Sequence, residues 1–121
     1  MNNENKSLLL QDLSARLPYG VIVQYKGHNT IIKNKLLTGS DLDCNMEYYK
    51  PYLRPMSSMT EEERKEYNDY LFYGVSIGLM SNTATAYELI DFLNTHHLDY
   101  HGLIEKCLAI EVTENNNPYK E

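Results

Sequence analysis

Residues 50–67 read KPYLRPMSSMTEEERKEY, and this stretch separates a first half that alternates like β-strands from a second half that repeats like helices. Pro51 and Pro55 each restrict φ and lack a backbone donor, so we expect this run to lie outside helix interiors and central strands. Thr60 and Glu63 follow at the spacing of a capping box, in which each side chain accepts a bond from the other residue's amide. The stretch therefore predicts that a helix begins just after Thr60.

The residues before this stretch predict one helix and three strands. Ser7 can cap a short helix over residues 8–17, in which Leu9, Leu10, Leu13 and Leu17 form an apolar stripe. Turns at residues 26–29 and 38–40 separate three alternating runs, which predicts an antiparallel β-meander over residues 21–48. Pairing Val23 with Ile32, and Leu36 with Leu42, puts one apolar set on the inner face and Lys35 opposite Asp43 on the other. That inner set is Val21, Val23, Ile32, Leu36, Leu42, Cys44 and Met46.

Residues 60–112 repeat mainly at helical spacing. The first of these helices is predicted to run to about Tyr73, and Thr85 with Glu88 forms a second capping box that opens another. His96 and His97 end that helix, Asp99 can cap a last short one, and residues 110–112 indicate a strand. The predicted fold is α+β, with an N-terminal helix, a three-stranded antiparallel meander, and two or three helices packed on one face.

Size and composition indicate a single domain. The chain has 121 residues, of which 42% are hydrophobic and 23% charged, values typical of a globular protein. Residues 1–6 and 113–121 are polar, and we expect them to be flexible tails. No run is apolar enough to span a bilayer, and the N-terminus does not resemble a secretory signal. We therefore expect a cytoplasmic protein in which Cys44 and Cys107 are buried free thiols.

The charge is distributed unevenly. The formal net charge is −6, and residues 61–121 hold twelve acidic but only four basic side chains. The first 60 residues hold seven basic and five acidic side chains, a small positive excess. The acidic second half repels phosphate, so the composition disfavours binding to nucleic acid. The alternative interpretation is that acidic helices only keep the protein soluble.

Three segments carry a resemblance to known proteins. They read LLLQDLSARLPYGV, KPYLRPMSSMTEEE and DFLNTHHLDYHGLIEKCLAIEV. With them the chain resembles a family of small proteins from phages, prophages and mobile elements of gut anaerobic bacteria, in which arginine often stands at the position of His101. The resemblance implies a genomic context rather than an activity: a small accessory protein of a mobile element, acting inside a bacterial cell.

The tyrosines provide the candidate binding surface. The chain has 11 tyrosines and no tryptophan, and many of them flank the junction of residues 50–67. Tyrosine is enriched at binding surfaces, because it offers a large contact area and keeps a polar group. We assign the surface to Tyr48, Tyr49, Tyr52 and Arg54. The alternative is that these rings only cover the boundary between the sheet and the helices.

Three functions remain open, and no cofactor is expected. The first is a non-enzymatic interaction protein with an unidentified protein partner, for which a homodimer is permitted but not required. The second is nucleic-acid binding by the first half, with Tyr25 or Tyr49 stacking on bases. The basic residues for it are Lys26, Lys33, Lys35, Lys50 and Arg54. The third is a metal-dependent enzyme, for which His97 and His101 would be the ligands, with His28 arriving from the β half.

Overall fold

The computed structural model describes residues 2–26, 33–43, 46–76 and 83–120, without the side chains of residues 72–76 and 83–86. Its elements follow the order helix, three strands, two helices and a last strand, a mixed α+β architecture. They are α1 (Asn3–Arg16), β1 (Ile22–Tyr25), β2 (Lys33–Leu36), β3 (Tyr49–Leu53), α2 (Glu61–Ser76), α3 (Thr83–Thr95) and β4 (Ile110–Glu111).

The first helix begins earlier than predicted. The side-chain oxygen of Asn2 accepts from the Asn5 amide at 2.7 Å and caps the helix, so Ser7 lies inside it rather than at its start. Residues 3–6, predicted as part of a tail, thus form its first turn. Leu9 and Leu13 are buried against the sheet, as the leucine stripe predicted, and Leu17 is half-buried. Leu10 is exposed, so its place on the stripe was wrong.

The four strands form one mixed sheet in the order β2-β1-β3-β4. The pairs β1–β2 and β1–β3 are antiparallel, whereas β3 and β4 are parallel. The predicted meander is therefore wrong in its third strand, because β3 begins at Tyr49 and pairs with β1. In its place the described residues form two 3₁₀ helices, Gly39–Asp43 and Met46–Tyr48. The Asp41 carboxylate accepts from the Thr38 amide at 2.9 Å and turns the chain there.

The register of the first two strands also differs from the prediction. Val23 faces Lys35 instead of Ile32, a shift by three residues. An odd shift exchanges the two faces of a strand, so Leu36 is exposed instead of buried. Lys35 pairs with Asp41 rather than Asp43. Of the remaining predicted inner set, Val21, Val23 and Met46 are buried, Leu42 is half-buried, and Ile32 and Cys44 lie outside the described residues.

Pro51 lies in the central strand β3, against the expectation from its missing donor. The Lys26 amide donates to the Tyr48 carbonyl, so the backbone N–H and C=O groups of Tyr48 point towards β1. Because these groups alternate along a strand, those of Lys50 and Tyr52 also point towards β1. The N–H that Pro51 lacks would point to the opposite side, towards β4. There the first paired residue of β3 is Tyr52, so the proline precedes the paired stretch and breaks no bond of that ladder.

The hydrophobic side chains of the described residues form two clusters. The larger one lies between α1 and the inner face of the sheet and includes Leu9, Leu13, Val23 and Leu53. The smaller one is built on Phe92, Leu93 and Leu98 and belongs mainly to α2 and α3. Thus α1 covers the sheet, while α2 and α3 pack chiefly on each other, unlike the predicted layer of two or three helices. Since α3 begins at Thr83, Thr85 is an interior residue and the second capping box is wrong.

The segment after α3 runs back along the sheet. Leu98 forms a parallel bridge with Arg54, and the Asp99 carboxylate accepts from the amides of Leu103 and Ile104 at 2.8 and 2.9 Å. Asp99 therefore caps as predicted, but it caps a series of turns and not a helix. The strand predicted at residues 110–112 is present as β4. Cys107 is exposed rather than buried, with φ at 61°.

The C-terminal residues predicted as a flexible tail contribute to the sheet. Tyr119 inserts its hydroxyl between β1 and β3, where it bonds to Ile22 and Tyr52. Within the described part of the chain, no helix has both the length and the apolar character needed to cross a bilayer.

Candidate functional site

The start of α2 is fixed by the capping box that the sequence predicted. The Thr60 amide donates to Glu63 Oε1 at 2.9 Å, and the Glu63 amide donates to Thr60 Oγ1 at 3.1 Å. Arg54 grips the same carboxylate with two nitrogens, at 2.9 and 2.7 Å. The Arg54 guanidinium is the main reason that the pKa of Glu63 is lowered to about 2. This junction holds the end of β3 against the first turn of α2.

The Glu63 carboxylate also connects α2 to α3. His96, just after α3, places Nδ1 3.0 Å from Glu63 Oε2. Phe92, one turn earlier, contacts the rings of Tyr67 and Tyr70, with centroid distances of 6.5 and 5.9 Å. The start of α2 therefore lies beside the end of α3, and the two helices run antiparallel.

A cleft of about 580 Å³ opens between this helix pair and the turns that follow α3. Its walls are mostly apolar or aromatic, and three carboxylates but no basic side chain stand among the described residues that line it. The lining residues are Pro55, Met56, Ser57, Tyr67, Leu93, Asp99, Tyr100, Gly102, Ile104, Glu105 and Glu111. Asp99 is engaged by backbone amides, so the exposed Glu105 and Glu111 give the rim its negative charge. The cleft is suited to an apolar group that carries a positive charge.

A buried charge network holds the far wall of the cleft. Arg16 is fully buried in α1 and donates to Asp12 at 2.6 Å and to the Leu98 carbonyl at 2.7 Å. Its guanidinium lies 4.8 Å from the centroid of the Tyr100 ring, a cation–π contact. His101 Nδ1 lies 2.6 Å from Asp12 Oδ2. Sequence reasoning missed this network, although an Asp-Arg pair four residues apart beside buried leucines was the available signal.

The predicted binding residues do not form one surface. Tyr49 and Tyr52 are buried, and as residues three apart in β3 they face opposite sides of the sheet. The Tyr52 hydroxyl donates to Asn34, and the Arg54 guanidinium is occupied by Glu63 and Ser58. Tyr48 is half-buried at the edge of the larger core cluster. The part of the junction that lines a cleft is instead residues 55–57 and Tyr67.

The basic residues proposed for nucleic acid are only partly available. Lys26, Lys33 and Lys50 are exposed. Lys35 is paired with Asp41 at 2.8 Å, as Arg54 is with Glu63. Of the candidate stacking rings, Tyr49 is buried and Tyr25 is half-buried beside it, with their centroids 5.0 Å apart.

The histidines proposed as metal ligands have separate neighbours. His97 stacks on Tyr119 with centroids 3.8 Å apart, whereas His101 contacts Asp12 in α1. Burial lowers the pKa of His97 to about 4, which makes it a neutral ring. The left-handed backbone at His97 and the bridge of Leu98 to Arg54 interrupt the helix that would have aligned the pair. Among the described residues, no three metal-ligating side chains converge, and His28 lies outside them.

A smaller cavity of about 320 Å³ lies beside Tyr70 and Phe92, with His96 at one end. Glu66, Glu88 and Asp91 also line it. The Tyr70 hydroxyl donates to Glu66, and the pKa of Tyr70 is raised by burial first and then by these carboxylates. Asp91 accepts from the Tyr19 hydroxyl, which ties this side of α3 to the residues after α1.

No family model matches this chain, and the comparisons with curated proteins and with solved structures found no significant match.

Proposed function

We propose that this chain is a small non-enzymatic interaction protein that binds a protein partner in the cleft between the helix pair and the turns after α3. The observation that carries the proposal is the cleft itself, about 580 Å³ in volume, with apolar and aromatic walls and an acidic rim. Its volume falls within the range common for binding sites in proteins. The resemblance to proteins of mobile elements adds the setting, an accessory role in the bacterial cytoplasm.

The chemistry of the lining supports a protein partner with a positive charge. Tyr67 and Tyr100 offer large rings at low entropic cost, a property that enriches tyrosine at protein interfaces. Glu105 and Glu111 would attract a lysine or arginine and repel phosphates, which disfavours nucleic acid at this site. Arg54 acts through Glu63, because their ion pair positions residues 55–57 along one wall.

The test is capture of a partner from a bacterial host lysate by the tagged full chain, with and without nuclease. Capture of one stoichiometric protein that survives nuclease is expected. The double variant Glu105→Lys/Glu111→Lys should lose that protein, because it reverses the charge of the rim. The matched control, Glu62→Lys/Glu114→Lys, makes the same charge change at exposed positions outside the cleft and should retain it.

Two results would contradict the proposal. Equal retention by the rim and control variants would show that the partner binds elsewhere. Captured material that disappears with nuclease would instead support nucleic-acid binding by the exposed lysines of the sheet.

A further inference from the structure

The apolar wall of the cleft continues along the helix pair. Leu71 follows Tyr67 by one helical turn on α2, and Ile90 precedes Leu93 by three residues on α3. Residues at these spacings share a helix face, so Leu71 and Ile90 extend the faces that line the cleft. Both side chains reach solvent, with exposed fractions of 42% and 39%. Large apolar side chains exposed next to a cleft are a common mark of a protein-binding surface.

The antiparallel arrangement of α2 and α3 places Leu71 and Ile90 at a similar distance from the sheet. Glu63 contacts His96, and Phe92 lies beside Tyr67 and Tyr70. Residues later in α2 therefore face residues earlier in α3. Leu71 and Ile90 therefore lie about one turn farther from the sheet than Tyr67 and Leu93. At a rise of about 1.5 Å per residue, helical geometry places the two outer side chains up to about 6 Å beyond the cleft, and we call the surface along these four side chains the groove.

We propose that this groove binds an amphipathic helix of a protein partner, with a lysine or arginine at the end nearest Glu105 and Glu111. The inference rests on the proposed function and specifies its occupant. The partner helix packs an apolar stripe between α2 and α3, against Leu71 and Ile90. Its basic end enters the cleft beside the carboxylate rim.

Two features of the molecule select this occupant. A groove between two packed helices takes a third helix whose apolar residues recur at i, i+3, i+4 and i+7. The charge is complementary, because the exposed Glu105 and Glu111 line the cleft and none of its described lining residues is basic. The whole segment of residues 61–121 is acidic as well, with twelve acidic and four basic side chains. This field attracts a cationic helix and repels an acidic one.

The probe is a synthetic peptide of leucine and lysine with leucine at helical spacing, titrated into the ¹⁵N-labelled full chain. We expect saturable chemical-shift changes at Leu71, Ile90 and Leu93. An isomer with the same composition but no apolar stripe should bind at least tenfold more weakly. A leucine–glutamate peptide with the same stripe should not bind. Shift changes confined to other parts of the chain, or no binding by the first peptide, would overturn the proposal.

Variants separate apolar docking from plain charge attraction. Leu71→Glu and Ile90→Glu should each weaken binding at least tenfold, although the added negative charge alone would strengthen it. The control Leu10→Glu makes the same change on α1, at an exposed fraction of 40%, and should alter affinity less than twofold. Equal effects of the three variants would show that the peptide binds by charge alone and would overturn the groove.

Three further outcomes distinguish the failure of this inference from the failure of the proposed function. The chain could instead form a dimer that is detected by sedimentation and that Leu71→Glu dissociates. If the peptide also fails to bind, the occupant is a second copy of the chain and the proposal is overturned. If the Glu105→Lys/Glu111→Lys variant loses the captured partner while Leu71→Glu retains it, the cleft stands and the helical occupant is overturned. If all of these variants retain the partner, the proposed function fails together with the inference.

Discussion

Tyr119 and Ile22, nearly a whole chain apart in sequence, are joined by a hydrogen bond in which the Ile22 amide donates to the Tyr119 hydroxyl at 3.0 Å. The hydroxyl in turn donates to the Tyr52 carbonyl at 2.8 Å. It thus bridges β1 and β3 where the next direct backbone pair would form. Burial raises the pKa of Tyr119 to about 12, so the hydroxyl keeps the proton that it donates.

Replacing this hydroxyl should destabilise the fold. Tyr119→Phe leaves a partly buried amide and a partly buried carbonyl without their partner, which we expect to cost about 1–2 kcal/mol. The free energy of unfolding from urea denaturation measures the effect. Tyr87→Phe is the control, because the Tyr87 side chain is 66% exposed and its change should be close to zero. A Tyr119→Phe protein as stable as the wild type would mean that the C-terminal segment does not stabilise the sheet.

The ion pair at the start of α2 gives a prediction that depends on pH. The folded pKa of Glu63 is lowered from 4.5 to about 2, with Arg54 as the largest favourable cause. Its contribution to stability is complete above about pH 4.5 and is lost as the pH falls through about 2. At pH 7, Glu63→Gln should lower the free energy of unfolding by about 1–2 kcal/mol, a figure that allows for partial hydration of the pair.

Urea denaturation between pH 7 and pH 2 measures the Glu63 effect. The difference between wild type and Glu63→Gln should shrink towards the acid end of this range. Glu62→Gln removes a neighbouring charge from the same helix turn, but Glu62 is exposed, so its effect should stay within about 0.5 kcal/mol. Equal effects of the two variants would mean that Glu63 stabilises the protein only through its negative charge at the N-terminus of α2, and not through its pair with Arg54.

The capping box was predictable, whereas the cleft was not. Thr60 and Glu63 interact within one turn, so their spacing in sequence determines their contact. The cleft combines Met56, Tyr67, Leu93 and Glu111, which come together only through the bridge of Leu98 to β3 and the packing of α2 on α3. No spacing in the sequence encodes those long-range contacts.

The sheet shows the same division. Alternation correctly indicated that Val21 and Val23 face the core, because period two is a local property. It could not decide the partner of β1 on its second side, because residues 41–48 alternate in sequence as well. In the structure residues 41–43 and 46–48 belong to 3₁₀ helices, and the first of these is held by the bond from the Thr38 amide to Asp41. The prediction that Pro51 lies outside a central strand was wrong. The missing N–H of Pro51 would break a bond only if a neighbouring strand paired with that residue on that side, and the sequence does not show where β4 pairs.

Burial of Tyr52 gives a third prediction. Tyr52→Ala should lower the free energy of unfolding by about 3–5 kcal/mol, because it empties a buried site of ring size and removes the bond to Asn34. If Tyr52 formed an exposed binding surface, the same change would abolish partner capture and leave the melting temperature nearly unchanged. Thermal unfolding distinguishes the two, and Tyr87→Ala serves as the exposed control.

His97 gives the last prediction, in a different pH range. Burial lowers its folded pKa from 6.5 to about 4, so the unfolded chain binds a proton at a pH where the folded protein does not. This contribution to stability is complete above about pH 6.5 and is lost progressively down to about pH 4. We expect a loss of about 1–2 kcal/mol over this range, below the full value of the pKa shift because the ring is partly hydrated.

Two measurements check the role of His97. An NMR titration of its ring should show a midpoint near pH 4, and a midpoint near 6.5 would contradict burial of the ring against Tyr119. His97→Asn removes the titrating group, and asparagine tolerates the left-handed backbone at φ 56°. The stability of this variant should therefore change less between pH 6.5 and pH 4 than that of the wild type, because the folded state no longer excludes a proton there.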